Sequence, residues 1–355
     1  MKFDLMMGSR TWEQTAAWAR RLEPAGFSGM LFTEQTQAPW MAIAAASIAA
    51  PSLEFSTGIA VAFPRSPIVA AGLAWELAEN TKGRFRLGLG SQVRAHIERR
   101  YAAEFDPPGP RLRDYVLAVK ACFRAFRGEE PLSYDGTYYK MSLLPPMWAP
   151  RRHPFGDVKV DVSAVGPWMC RMAGEVADGV HVHPFHSLPY IHNRLLPAVA
   201  EGTERSGRSP ADLDLIVPVF AIPGDTPEER FELVEKARAR IAFYGSTKNY
   251  AFQFDDLGFD GTSARLNDLL KRRDVAGMAA AITDEMMEHF AVVETWDGMA
   301  DALIKRYDGL ASRLVMYMGE DSIDAAPQNL GKWAEIARAV TAHGRDQRAS
   351  ARLDG

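Results

Sequence analysis

Two stretches hold residue types whose spacing suits chemistry. Gly83-Arg84-Phe85-Arg86-Leu87-Gly88-Leu89-Gly90 reads as a short apolar strand running into a turn, and Ser91 to Tyr101 as a charged helix. Gly88 and Gly90 leave no β-carbon at the strand's end, so a flat ring or a phosphate can approach the backbone. A dinucleotide-binding turn would put a third glycine at position 93 and an acidic residue about 20 positions later; Val93 stands there instead. The other stretch is His181-Val182-His183, with His186 just beyond. Alternation along a strand turns the imidazoles of His181 and His183 to one side. In a barrel that arrangement suits part of a metal site, which makes metal-dependent hydrolysis a rival reading. No matching set of carboxylates and histidines stands on other strands, and no metal is assigned.

The elements that must carry these residues repeat. Strand patterns fall at 3–7, 29–34, 53–63, 83–90, 159–165, 180–183, 213–222 and 313–317, separated by helical patterns. Thr11 and Thr226 read as helix caps, Gly26 as a stop, and Pro67 and Pro227 as first-turn prolines. Gly58 flaws the third strand. Eight strand–helix units are the count of an α/β chain folded as a (β/α)8 TIM barrel, with active groups at the carboxyl ends of the strands. Two segments exceed what a crossover needs and read as insertions. One spans about 128–157, over a barrel mouth, with a hairpin turn at Asp135-Gly136; the other spans about 244–290. Residues 1–343 read as one domain, and 344–355 as a mobile polar tail.

Composition excludes several classes. The chain has 355 residues and a net charge of −4, with lysine and arginine scattered or in short groups. No basic block suggests nucleic acid. No apolar run suits a membrane span, and the start is broken too early by Gly8-Ser9-Arg10 for a signal peptide. Cys122 and Cys170 lie far apart in helical patterns, as buried free thiols do in a reducing cytoplasm.

Phe32-Thr33-Glu34-Gln35, Ser56-Thr57-Gly58-Ile59-Ala60-Val61 leading to Arg65-Ser66-Pro67, the Gly83–Gly90 run, Ala164-Val165-Gly166-Pro167, Ala177-Asp178-Gly179-Val180 and Glu294-Thr295-Trp296 together resemble the bacterial luciferase-like family. The resemblance covers nearly the whole chain. It implies a barrel binding reduced flavin mononucleotide (FMN) or the deazaflavin coenzyme F420. His96-Ile97-Glu98-Arg99-Arg100 and Phe243-Tyr244-Gly245-Ser246-Thr247 are similar to the deazaflavin-dependent branch, whose members transfer hydride to or from a small organic substrate. The alternative is a reduced-FMN monooxygenase using oxygen and a separate flavin reductase. The resemblance further implies a homodimer and a non-proline cis peptide near Ala60-Val61, supporting the ring. It puts Gly166 and Pro167 at the phosphate, Ser91, Gln92 and Arg94 along the ring or tail, and Glu34, Gln37 and Trp40 on the substrate side. His181 and His183 become donors to phosphate or substrate. Where relatives carry a proton-transferring histidine after strand two and a glutamate after strand four, this chain has Glu34-Gln35-Thr36-Gln37 and Ser91-Gln92. Glu34 is the remaining acid–base candidate, and its other role is a structural carboxylate at the rim. Trp12, Trp40 and Trp148 are candidates for an apolar pocket wall, and Met169 and Met172 for packing.

Overall fold

The computed structural model describes residues 1–353, with side chains through Gly344. Strand β1 (Lys2–Met7) leads through α1 (Trp12–Ala25) to β2 (Gly29–Phe32), α2 (Pro39–Ala49), β3 (Glu54–Thr57), β4 (Ala60–Val61), α3 (Pro67–Asn80), β5 (Phe85–Gly90), α4 (Arg94–Arg99) and α5 (Pro108–Arg127). A hairpin of β6 (Tyr134–Asp135) and β7 (Lys140–Met141) precedes β8 (Lys159–Ser163), α6 (Pro167–Val176), β9 (Gly179–His181), α7 (Leu188–Tyr190) and α8 (Leu196–Arg205). Then come β10 (Asp214–Pro223), α9 (Pro227–Gly245), α10 (Phe252–Asp255), α11 (Thr262–Lys271), α12 (Val275–Ala280) and α13 (Asp284–Phe290). The chain finishes with β11 (Ala291–Glu294), α14 (Met299–Tyr307), β12 (Arg313–Met316), α15 (Gly319–Ala325) and α16 (Asn329–Leu353).

The sheet runs β10-β12-β1-β2-β3-β5-β8-β9, and β9 pairs with β10. Eight strands so linked by parallel pairs and crossover helices form a (β/α)8 barrel, as the strand count predicts. Local signals account for many boundaries. Thr11 caps α1 in a capping box with Gln14, Gly26 ends it at φ 88°, and Thr226 caps α9.

Contacts divide the chain into two compact units. One comprises Met1–Met6, Val182–Pro197 and Val217–Gly355. Its apolar core gathers Phe185, Phe220, Ile222, Phe254, Met287 and Phe290, and Arg313 forms a two-pronged bond to buried Asp4 at 2.6 and 2.8 Å. The other comprises Met7–His181 and Ala198–Ile216. There Arg86 on β5 donates to Asp161 on β8 at 2.8 and 2.6 Å and to Asp214 on β10 at 2.6 Å. Asp161 is wholly buried, so its charge depends on this fork.

Several expected elements differ. The third strand splits into β3 and β4 at Gly58. The hairpin pairs Tyr134 with Met141 and Asp135 with Lys140, so its loop is Gly136 to Tyr139 and not the tight Asp135-Gly136 turn. Asp114 of α5 sets this longer loop, accepting the backbone N–H groups of Tyr138 and Tyr139 and the Tyr134 hydroxyl. The end of the same insertion packs beside the start of β5, away from the carboxyl ends. His153 stacks on Trp75 of α3 at 4.0 Å, and Phe155 lies against Gly83. The single helix expected at 188–206 contains a π-turn at Ile191–Leu195, just before Pro197, which has no N–H to close a regular turn. Strand β11 lies between the second insertion and the helix after it, where the sequence predicts no element, since Ala291-Val292-Val293 is too short a run to show a period of two. Helix α16 continues to Leu353, past the expected boundary at 343; residues 354 and 355 of the expected tail lie outside the described residues.

Burial alone would raise the pKa of Asp214, but the charges of Arg86 and Lys159 hold it down at about 2. Its unfolded value is about 3.9. The contribution of roughly 2 kcal/mol is therefore complete above pH ~4 and lost as pH falls toward 2. Thermal denaturation between pH 7 and pH 2.5 should show Asp214→Asn losing less stability on acidification than the parent. Arg86→Met, which takes both guanidinium donors from buried Asp161, should cost about 3–5 kcal/mol at pH 7.

Candidate functional site

Where β3 gives way to β4 the Gly58–Ile59 peptide is cis, two residues ahead of the position expected near Ala60-Val61. Backbone bonds fasten this break on both sides. Gly58 N–H donates to Phe32 O at 2.8 Å, Glu34 N–H to Ile59 O at 3.2 Å, and Ala62 N–H to Gly90 O at 3.0 Å. The Glu34 carboxylate completes the fastening. Its Oε2 accepts from Val61 N–H at 2.8 Å and from Arg65 Nη1 at 2.9 Å, its Oε1 accepts from Arg65 Nη2, and Arg65 Nη1 also donates to Val61 O at 3.0 Å. The carboxylate side chain is 4% exposed. Burial disfavours the Arg65 charge, yet the bond to Glu34 outweighs it and raises the guanidinium pKa. Arg65 also lies over the buried Trp40 ring at 5.7 Å. These contacts are those of a carboxylate that holds backbone in place. Gln37 is half-buried and donates to Arg10 O at 3.2 Å.

The two glycines of β5 are required by packing. A β-carbon on Gly88 would lie 2.0 Å from Thr57 O and 2.6 Å from His181 Nε2; one on Gly90 would lie 2.6 Å from Ser163 Oγ and 2.8 Å from Ile59 Cδ1. The space that glycine was expected to leave for a ring is, on the β-carbon side, filled by protein. Gly90 ends β5, and Gly166 follows the end of the neighbouring parallel strand β8, whose Val162 pairs with Leu89. Both glycines therefore sit at the carboxyl ends of adjacent strands. Gly166 caps α6 at φ −78° and ψ 158° without a side-chain bond, Pro167 follows, and no atom lies within 4 Å of where a Gly166 β-carbon would be. Proline has no N–H, so the donors offered by this first turn are those of Trp168 and Met169.

After Gly90, Ser91 Oγ donates to Gln92 O at 3.2 Å, and Gln92 takes φ 56° while its side-chain oxygen accepts from Val93 N–H at 3.0 Å. Arg94 is about half exposed and paired with Asp106 and with Glu98. His181 is buried against Gly88, its Nε2 3.8 Å from Asp161 Oδ2.

His183 lies beyond the end of β9, so the strand alternation expected to align it with His181 stops short; the two histidines fall in different compact units. Phe185 N–H donates to His183 Nδ1 at 3.1 Å, and the ring packs against Tyr244 at 4.7 Å and Tyr250 at 4.9 Å. His186 Nδ1 bonds His183 O at 2.9 Å, and its Nε2 bonds the Tyr307 hydroxyl at 3.2 Å. Each histidine thus has its own partners, and among the described residues no group of three metal-ligating side chains forms. Trp40 is buried, whereas Trp12 and Trp148 are 63% and 76% exposed, which removes those two as pocket walls. Cys122 and Cys170 are buried free thiols. Sequence reading gave no role to Arg65, Thr57 or Ser163. Arg65 alone carried a signal, a cation directly before the Ser66-Pro67 helix start.

The family model for luciferase-like monooxygenases matches residues 2–313. The chain belongs to that family and is an enzyme of its oxidoreductase class. An uncharacterized protein of Mycobacterium tuberculosis is 35% identical over 311 residues, 87% of this chain and 92% of that one. A 5,10-methylenetetrahydromethanopterin reductase of Methanolobus tindarius is 25% identical over 289 residues, 79% of this chain and 83% of that one. Among solved structures, the coenzyme F420-dependent tetrahydromethanopterin reductase of Methanopyrus kandleri superposes with a TM-score of 0.77 at 18% identity, covering 96% of this chain and 99% of that one. The oxygenating constituent of 3,6-diketocamphane monooxygenase of Pseudomonas putida, in complex with FMN, gives 0.66 at 18% identity, covering 96% and 98%.

Glu34→Ala should lower stability by about 3 kcal/mol, because it strands the Arg65 charge and the Val61 N–H. Glu34→Gln keeps an acceptor for that N–H and should lose less. Chemical denaturation of the two variants checks the order; equal losses would mean that the bond to Val61 contributes nothing.

Proposed function

We propose that the protein transfers a hydride between the deazaflavin coenzyme F420 and a small organic substrate. The observation that carries the reading is the uncapped start of α6, open in front of Gly166 and placed at the same strand ends as Gly90. Such a helix start favours a phosphate through its free N–H groups and its dipole. Gly166, Trp168 and Met169 would hold the phosphate. The segment from Ala60 to Val61, with Gly90, Ser91 and Gln92, would face the ring, and Arg94 would reach toward the anionic tail. Bound there, the deazaflavin supplies or accepts hydride at its C5.

Glu34 acts in this reading as a positioning residue. Its carboxylate fixes the Val61 backbone and Arg65, so the surface that meets the ring is set before anything binds. Trp40 stiffens the same corner from behind. Of the two structural neighbours described above, the one that superposes better is named as coenzyme F420-dependent, which supports the deazaflavin. Reduced FMN with oxygen is the alternative and would require a flavin reductase as partner.

The parent protein should bind F420 more tightly than FMN in fluorescence titrations; tight FMN binding without F420 affinity would overturn the reading. Gly166→Asp provides a second check. Its backbone angles admit any residue, and aspartate is a preferred helix cap, so melting temperature should hold or rise. The added carboxylate should nevertheless weaken F420 binding by about tenfold or more through repulsion of the phosphate. Unchanged affinity would move the phosphate elsewhere.

A further inference from the structure

We infer that His183 is a hydrogen-bond donor to the oxygen of an uncharged carbonyl substrate or its alcohol, seated against Tyr244 and Tyr250. The inference rests on the oxidoreductase reading above and names the substrate class.

The geometry fixes which ring nitrogen carries hydrogen. The Phe185 N–H points at Nδ1, which must therefore accept, leaving the proton on Nε2. Among the described residues Nε2 has no hydrogen-bond partner, and the residue is half-buried. The neighbours of the ring are aromatic. Tyr244 meets it edge-on and Tyr250 at a tilt, and the Tyr244 hydroxyl is occupied by Tyr317. The titratable groups in contact with it are these tyrosines and His186, which holds the His183 carbonyl; Tyr317 and the Arg240 charge act on Tyr244, and the Arg306 charge on His186. Burial, then the neighbouring His186, push the His183 pKa down to about 3, so the ring stays neutral at ordinary pH. Burial likewise keeps the Tyr244 and Tyr250 phenols protonated.

A neutral donor between two phenol rings suits an acceptor that is itself neutral. A carboxylate or phosphate would be desolvated there with no cation in direct contact with the imidazole, whereas a ketone needs one N–H and apolar surface. His183 donates a bond and keeps its proton; it is not the source of the proton that accompanies hydride transfer. This assigns His183 to substrate, apart from the cofactor phosphate.

The test uses the full chain without cofactor, with 15N-labelled histidine, and acetophenone as the probe. His183 is assigned among the 8 histidines by comparison with His183→Phe. The expected result is a neutral Nε2–H tautomer from pH 5 to 8, a shift of that signal on adding acetophenone, and about tenfold weaker acetophenone binding in His183→Phe. His183→Gln, which keeps an N–H donor, should recover part of the affinity. Benzoate should not compete. Equal acetophenone binding by parent and His183→Phe, tighter binding of benzoate, or titration of His183 between pH 5 and 8 would each overturn the inference. F420 titration of both variants separates it from the cofactor reading: retained F420 affinity with lost ketone affinity supports both. Lost F420 affinity with unchanged ketone affinity makes His183 a cofactor residue and overturns the inference, leaving the deazaflavin reading intact.

Discussion

The Glu34 carboxylate holds together the corner on which the candidate site depends. Between β3 and β4 the chain leaves the regular ladder for two residues, and the backbone groups freed there need partners inside a nearly closed environment. One side chain from the neighbouring strand end meets that need by accepting Val61 N–H and two arginine donors at once. The arginine returns a bond to the Val61 carbonyl, so each member of the group constrains another. Polar clusters of this kind are stable when every member is satisfied, and they fix a single geometry.

The same economy appears at the other charged places. Arg86 serves two aspartates, and Arg313 forks onto Asp4, in strand positions that face inward. These pairs stand near the beginnings of β5, β8, β12 and β1. The glycine ends of β5 and β8 carry no such pairs, and offer backbone donors and small residues instead. In barrels of this class the amino ends of strands tend to serve stability and the carboxyl ends serve chemistry.

How far the sequence could be read followed from the range of the interactions involved. Caps at Thr11 and Thr226, the stop at Gly26 and the first-turn prolines are contacts within a few residues, and they were legible. The eight strands were legible because each is a compact apolar run bounded by breakers. The role of Glu34 was not settled, since its partners Val61 and Arg65 lie about thirty positions away and either acid–base work or structural work suits a lone carboxylate in a pattern. Gly88 and Gly90 stand out in the sequence as places where a ring or phosphate could approach the backbone, whereas the atoms that face their missing β-carbons belong to Thr57, His181, Ser163 and Ile59, outside their own strand. Two histidines one residue apart suggested a shared face, and the strand simply ended between them.

Thr57 shows how little ladder holds β3 to β5. Only Phe55 with Phe85 and Ser56 with Arg86 are paired in register before β3 departs. The Thr57 hydroxyl then takes over, donating to Gly88 O at 2.7 Å and accepting from Gly88 N–H at 2.9 Å, a side chain imitating the missing rung. A slip of two residues would keep the alternation of faces, so hydrophobic patterning alone cannot forbid it. In one direction such a slip would bring the β-carbon of Arg86 against the threonine carbonyl. The clasp thus acts in that direction as a proofreading device during assembly, discarding an alignment that greasy surfaces by themselves would accept.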